Sequence, residues 1–338
     1  MIFVNSSCRS HARIIQLLLL LTALLPGCKT SRKNQEFAYV STPQAFLRDR
    51  VAPVYTKTGI VKSGDRVQVL DHDRRFVKIR TENGTEGWLE QRYLVTQTDY
   101  DAFQKFAQDH QSDPVQAPGI ARNDTNIHLH PARDAEHLYQ LTQGSKVAIL
   151  KRATTEKSLP GTPGAVAASE TKKEIPIEDW WLIRDQQAHV GWVLARLIDV
   201  DAPLDIAQYA EGQRLVAFFV LNEVTDGDKK VPQYLAVLTE PKGGMPFDYN
   251  QIRVFTWNVR KHRYETAYRE RNLDGVLPVT VGKENFDKEG TLPIFMLHVK
   301  DDNGNVSDRK YKLNTPIVRR VLAPGEQPSK PVRKRKKQ

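Results

Sequence analysis

The sequence predicts an all-β chain: two copies of a small β-barrel, then a larger antiparallel sandwich or barrel. The first observation behind this is an internal repeat. Phe76, Ile79, Arg80, Gly87, Trp88, Leu89, Arg92 and Leu94 return at one constant offset as Trp180, Ile183, Arg184, Gly191, Trp192, Val193, Arg196 and Ile198. Such repetition fixes module boundaries before any residue is interpreted. The second observation is a period of two inside each copy, which is the side-chain period of a strand. The third is the placement of Asn-Gly and Asp-Gly pairs between alternating segments, a strong hairpin signal.

Taken in order, residues 1–27 read as a signal peptide. Arg9 and Arg13 precede an apolar run from Ile14 to Leu25, interrupted by Gln16 and Thr22. A membrane-spanning helix needs roughly 20 apolar residues, so this run fits a signal core instead. Its ending, Leu25-Pro26-Gly27-Cys28, resembles a bacterial lipoprotein signal. That resemblance implies lipidation of Cys28, partnership with a membrane through the lipid anchor, and a cell-envelope location. Lys29 after the cysteine implies, in a Gram-negative host, the periplasmic side of the outer membrane. The other reading is a plain secretory signal with an incidental cysteine. Cys8 and Cys28 are the two cysteines of the chain, so the mature protein is expected to form no internal disulfide. Residues 28–40 read as a polar tether.

Residues 41–97 form the first module. Val67 and Val69 alternate with Arg66 and Gln68, Val77 and Ile79 with Lys78 and Arg80, and Asn83-Gly84 predicts a type I′ turn. Residues 98–123 read as a linker with a short helical piece, since Tyr100, Phe103 and Phe106 recur every third residue before Pro114 and Pro118. The second module covers 124–202 and carries an insertion at 151–179, expected to be a mobile excursion with little to bury. Its Gln187-Ala188 replaces Asn-Gly, which predicts a looser or different turn.

The first module resembles the bacterial SH3-like domains. The resemblance rests on Gly64-Asp65-Arg66-Val67-Gln68-Val69-Leu70, Phe76-Val77-Lys78-Ile79, Gly87-Trp88-Leu89 and Tyr93-Leu94. The second module resembles them less closely, with Ser145 after Gly144 and Leu197 in place of Tyr93. The resemblance implies cell wall, as peptidoglycan or wall peptide, as the ligand.

Residues 203–320 resemble no family. Strand-like pieces fall at 214–224, 234–239, 251–258, 263–270, 276–281, 293–300 and 309–313, with turns at Asp226-Gly227, Asp274-Gly275 and Asp302-Asn303-Gly304-Asn305. The net charge of +10 is concentrated at the C-terminus, where Lys330, Arg333, Lys334, Arg335, Lys336 and Lys337 against Glu326 leave +5 on residues 321–338. That end reads as a disordered basic tail, and a basic binding face on a folded domain is not indicated.

The thiol and zinc arrangements of wall hydrolases are missing from the sequence, while a carboxylate-only glycosidase leaves no motif to look for and fits poorly in an all-β domain of this size. A thiolate enzyme needs a cysteine, and none follows Cys28. A zinc enzyme needs clustered ligands, and His262 and His298 are the histidines after residue 200, without ligand spacing. His128, His130 and His137 could share a strand face, although such residues ordinarily make a polar outer face. We therefore expect no enzyme, no cofactor and no metal, and export argues against a nucleic-acid partner. The candidate ligand-binding residues are aromatic: Phe76, Trp88, Tyr93, Trp180 and Trp192, with Trp257 and Tyr264 as lesser candidates. Period two places Phe76 and Trp180 opposite the core, either exposed for stacking or packed under a neighbour. Two functions fit: an envelope protein that binds the wall through its small modules, or an adaptor to another envelope protein in which the paired modules are architectural.

Overall fold

The computed structural model describes residues 35–157, 176–322 and 325. It contains three antiparallel sheets of seven strands each. The first is built from β1 (Glu36–Val40), β2 (Gln44–Arg48), β3 (Lys57–Lys62), β4 (Arg66–Asp73), β5 (Phe76–Thr81), β6 (Glu86–Glu90) and β7 (Leu94–Thr96). The second is built from β8 (Ala117–Ala121), β9 (Thr125–His128), β10 (His137–Leu141), β11 (Lys146–Glu156), β12 (Ile177–Arg184), β13 (Val190–Leu194) and β14 (Ile198–Val200). Their orders, β3-β2-β6-β5-β4-β1-β7 and β10-β9-β13-β12-β11-β8-β14, correspond strand for strand. The repeat in sequence is thus a repeat in topology.

Two module boundaries move. Residues 36–40, expected in the tether, form a strand whose Val40 is fully buried and whose Ala38–Val40 pair with Thr96–Leu94. Residues 117–121, expected in the linker, form the equivalent strand, paired with β11 and β14. Neither sheet is a closed barrel, because the two ends of each order share no ladder. Closure by hydrogen bonds needs strand number, tilt and stagger to agree. Here bulges at Leu47/Arg48 and Val69/Asp71 bend the first sheet, and Leu47, Val61, Val67, Val77, Ile79 and Leu89 fill its inside.

The Asn83-Gly84 turn is a three-residue loop rather than type I′. Thr81 and Thr85 close it, and Gly84 alone takes positive φ, at 79°. The second module uses the same loop, which corrects the expectation of a looser one. Ala188 stands at φ 66°, while Oδ1 of Asp185 accepts from the amides of Gln187 and His189 at 2.9 and 2.8 Å. The side-chain bonds do what the glycine does in the first copy.

A helix, α1 (Gln97–Asp109), follows the first module, begun by a capping box between Thr96 and Asp99. Phe103 is buried among Tyr39 and Val95 of the first module and Leu129 and Leu138 of the second. The residues expected to link the modules therefore wedge between them.

The third sheet is one meander of β15 (Arg214–Asp226), β16 (Lys229–Thr239), β17 (Tyr249–Asn258), β18 (Arg263–Asn285), β19 (Thr291–Lys300), β20 (Val306–Asn314) and β21 (Ile317–Val321). It is neither a two-sheet sandwich nor a closed barrel. Asp274-Gly275, expected as a turn, lies inside the 23-residue β18. Gly275 is there because a Cβ would come within 2.1 Å of the Tyr249 ring. The short α2 (Leu204–Ala207) sets Ile206 against Tyr234, Ala236 and Phe255 of this sheet.

The second module and the third sheet share one continuous core, running from Ile149, Trp181 and Val193 to Val216, Val237 and Phe295. A buried ion network reinforces it. Arg152 donates to Asp179 Oδ1 at 2.7 Å, to Asp248 Oδ1 at 3.2 Å and to the carbonyl of Phe247 at 2.8 Å. This corrects the reading of 151–179 as an excursion. β11 and β12 stay paired out to Glu156 and Ile177, and the remainder of the insertion lies outside the described residues, as do the signal segment with Cys28 and most of the basic tail.

Candidate ligand-binding face

The outer face of the first sheet carries a row of side chains set by register. Lys57 pairs with Arg48, Arg48 with Trp88, and Trp88 with Lys78, across β3, β2, β6 and β5. Cross-strand partners share a face, so Arg48 and Lys78 flank the Trp88 indole, with Lys57 beyond Arg48. Trp88 and Lys78 are half-buried and Lys57 is exposed. Beside the row, Phe46 and Ile60 pair directly and are 40% and 54% exposed, with the Lys57 ammonium 3.7 Å from the Phe46 ring centre. Alternation produces this arrangement. Ala45 and Leu47 turn inward on β2, which forces Phe46 and Arg48 outward.

The charges of the face are partly compensated. Glu90 meets Arg48 at 3.4 Å, and Glu86 meets Arg80 at 2.6 Å and Lys78 at 3.1 Å. The hydrogen bonds from Arg80 and then Lys78 hold the Glu86 carboxyl below the usual carboxylate range. Behind Ile60 an open groove of about 470 Å³ runs past Asn83, Asp65 and Arg66 to Tyr39 and Tyr100, whose rings stack at 3.7 Å.

Phe76 lies on this face, as its parity requires, but it is not exposed. Its exposure is 5%, because the guanidinium groups of Arg48 and Arg75 lie over the ring at 5.0 and 5.4 Å. Arginine stems cover apolar surface while their charged ends reach water. The expectation of Phe76 as an open stacking platform is therefore corrected. Tyr93 is half-buried against the module core, and its hydroxyl accepts from Arg92 at 2.8 Å.

In the second module the same face is closed. Leu182 and Val190 occupy the positions of Lys78 and Glu86, and with Leu150 they form a buried cluster under Phe106 and Ala107 of α1. Trp192, the equivalent of Trp88, packs into that cluster. Trp180, the equivalent of Phe76, is 1% exposed and donates through Nε1 to the Thr155 hydroxyl at 3.0 Å, so it too is no open platform. His128 and His137 stand where Arg48 and Lys57 stand in the first copy, ring to ring at 5.7 Å. Burial pushes both imidazoles below their ordinary pKa.

Of the residues on this face, Trp88 was named from the sequence and Phe46, Ile60, Lys57 and Arg48 were not. No group of three or more metal-ligating side chains occurs among the described residues, and no described helix is long and apolar enough to cross a membrane. In the third sheet Trp257 and Tyr264 meet edge to face at 5.0 Å, and the Trp257 indole donates to Asp226 at 2.8 Å.

Residues 45–95 match the bacterial SH3 domain family, and residues 121–199 match the GW (Gly-Tryp) dipeptide domain family. The second module is thus matched by a different family from the first, although its strand order is the same. No curated protein matches the chain. Among solved structures, an NlpC/P60 family protein from Bacillus cereus is 10% identical over 56% of this chain, with a TM-score of 0.23. This chain spans 65% of that protein. NlpC2 from Trichomonas vaginalis is 12% identical over 86% of this chain and 96% of its own, with a TM-score of 0.17.

Proposed function

We propose that this chain, which contains a bacterial SH3 domain and a GW domain, is a lipid-anchored, non-catalytic protein of the cell envelope that binds the wall through its first module. The observation that carries the proposal is the contrast between two equivalent faces. In the first module Lys57 is exposed and Arg48, Trp88 and Lys78 are half-buried with their polar ends in reach of solvent, whereas in the second α1 packs on Leu182, Val190 and Trp192, the equivalents of Lys78, Glu86 and Trp88. A cationic row around an indole suits wall peptides, which offer carboxylates for the cations and backbone for the ring. Cys28 supplies the anchor in this reading, and the periplasmic side of the outer membrane follows for a Gram-negative host.

The test is co-sedimentation of the purified protein with isolated sacculi. Binding that is lost in Trp88→Ala and Lys78→Glu and kept in Trp192→Ala supports the reading. Cys28→Ser is expected to release the protein from membranes in cells or to block its processing.

A second reading has its own support. The core shared by the second module and the third sheet makes that module architectural, as an adaptor would need. Failure to co-sediment, together with recovery of a specific envelope protein on the third sheet, would select it.

A further inference from the structure

The second module and the third sheet flank a cleft of about 400 Å³ to which the first module contributes no lining residue. Arg122, Arg196 and Arg214 line it together with Asp199, over an apolar floor that includes Trp181 and Leu215. Two of the three arginines are engaged. Arg122 Nε donates to Asp199 Oδ1 at 2.7 Å, and Arg214 donates to Asp179 Oδ2 at 2.8 Å, a carboxylate it shares with Arg152.

Arg196 is different. Among the described residues no carboxylate lies within ion-pairing distance of it, and Glu178, which senses its charge, is held by Arg133. The first module provides an internal control. Its equivalent residue, Arg92, is neutralised by Glu90 at 2.8 Å and donates to the Tyr93 hydroxyl at 2.8 Å. The second module has Leu194 and Leu197 at those two positions, so both partners of the arginine have been replaced by apolar side chains. The guanidinium is left facing a cleft that already holds two others.

We infer that this cleft binds an oxyanion, a phosphate or carboxylate group of a larger ligand, with Arg196 as its principal contact and Arg122 and Arg214 at its sides. A guanidinium fork matches both groups through paired N–H donors. The apolar floor strengthens the attraction, because field lines between charges at a low-dielectric wall are less screened. This site is independent of the wall-binding face, and either can fail without the other.

The test is an NMR titration of the purified protein, following the arginine side-chain N–H resonances. Inorganic phosphate and acetate are the probes, with sodium chloride at matched ionic strength as the control. Saturable shifts of Arg196, Arg122 and Arg214 with one or both probes, and none with chloride, are the expected result. Comparison of the two probes tells phosphate from carboxylate as the preferred group. Arg196→Gln should weaken binding about tenfold or more, since a charge-assisted pair of hydrogen bonds is lost. Arg196→Lys should give an intermediate loss, and Arg92→Gln should change nothing. Shifts that rise linearly with all three salts, or a titration of Arg196→Gln that superimposes on the wild type, would overturn the proposal.

Discussion

His128 lies 5.6 Å from Trp180, edge to face, in the place where Arg48 lies 5.0 Å from Phe76 in the first module. Both residues roof the aromatic that parity sends to the outer face. The roof in the second module is titratable, whereas arginine stays charged at every working pH.

This difference predicts a pH dependence of stability. Burial holds the folded-state pKa of His128 below the ordinary value of 6.5. The unfolded chain therefore binds the proton more readily than the native one, and stability is complete above pH 6.5 and declines as pH falls below it. His137 adds to the same slope, because burial lowers it as well. Melting temperatures measured between neutral and mildly acidic pH should fall in the wild type and fall less in a His128→Gln, His137→Gln double variant. Parallel curves would contradict the assignment.

The two equivalent tryptophans should separate binding from stability. Trp88→Ala is expected to abolish most sacculus binding and leave the melting temperature nearly unchanged. Trp192→Ala is expected to leave binding intact and to cost about 2 kcal/mol, since its ring packs with Phe106 and Leu182 and its removal leaves a void. Calorimetry and co-sedimentation on the same two preparations check both halves.

The ion network under the second module predicts a large effect from a single atom-scale change. Burial works to raise the Asp179 carboxyl, yet hydrogen bonds from Gly244, Arg214 and Arg152 outweigh it and hold the group below its ordinary pKa. Asp179→Ala removes the nearer of the two carboxylates that neutralise the Arg152 guanidinium, whose side chain is 2% exposed, leaving Asp248 at 3.2 Å, and should destabilise the protein by about 3 kcal/mol. Replacing Arg152 with Met in the same chain should recover part of that loss in urea unfolding.

Deletions in the insertion should divide sharply. The amide of Lys157 donates to the carbonyl of Pro176 at 2.8 Å, so the two strand ends are already held together. Joining them by a short turn in place of 158–175 should be neutral or mildly stabilising, because closure entropy varies slowly with loop length. Deleting 151–179 removes Arg152 and Asp179 and should prevent soluble expression.

The duplicated modules, their strands and most of the third sheet were legible because each rests on local signals: period two, repeated Gly-Trp and turn pairs. The strand at 36–40 was not, since Phe37 to Val40 is too short to show alternation beside polar residues. Asp274-Gly275 misled because a glycine that makes room for Tyr249 looks, in sequence, like one that makes a turn. At the candidate site, the repeat singled out Trp88, while Phe76 was misjudged because nothing local reports that Arg48, 28 residues earlier on β2, reaches across β6 to cover it. The closing of the second face did leave a trace. Trp180-Trp181-Leu182-Ile183 is an unbroken apolar run, which marks a strand buried on both sides.

The position of α1 over the second module has a consequence for valency. A chain with two copies of one topology but a single open face engages a repeating polymer once, and its dose response should be a simple hyperbola. Under the proposed anchoring through Cys28, avidity depends on the density of copies on one surface, since neighbouring copies raise the effective concentration of each other's sites. Surface density, and not the number of modules in the chain, becomes the variable that sets how firmly the two layers are held.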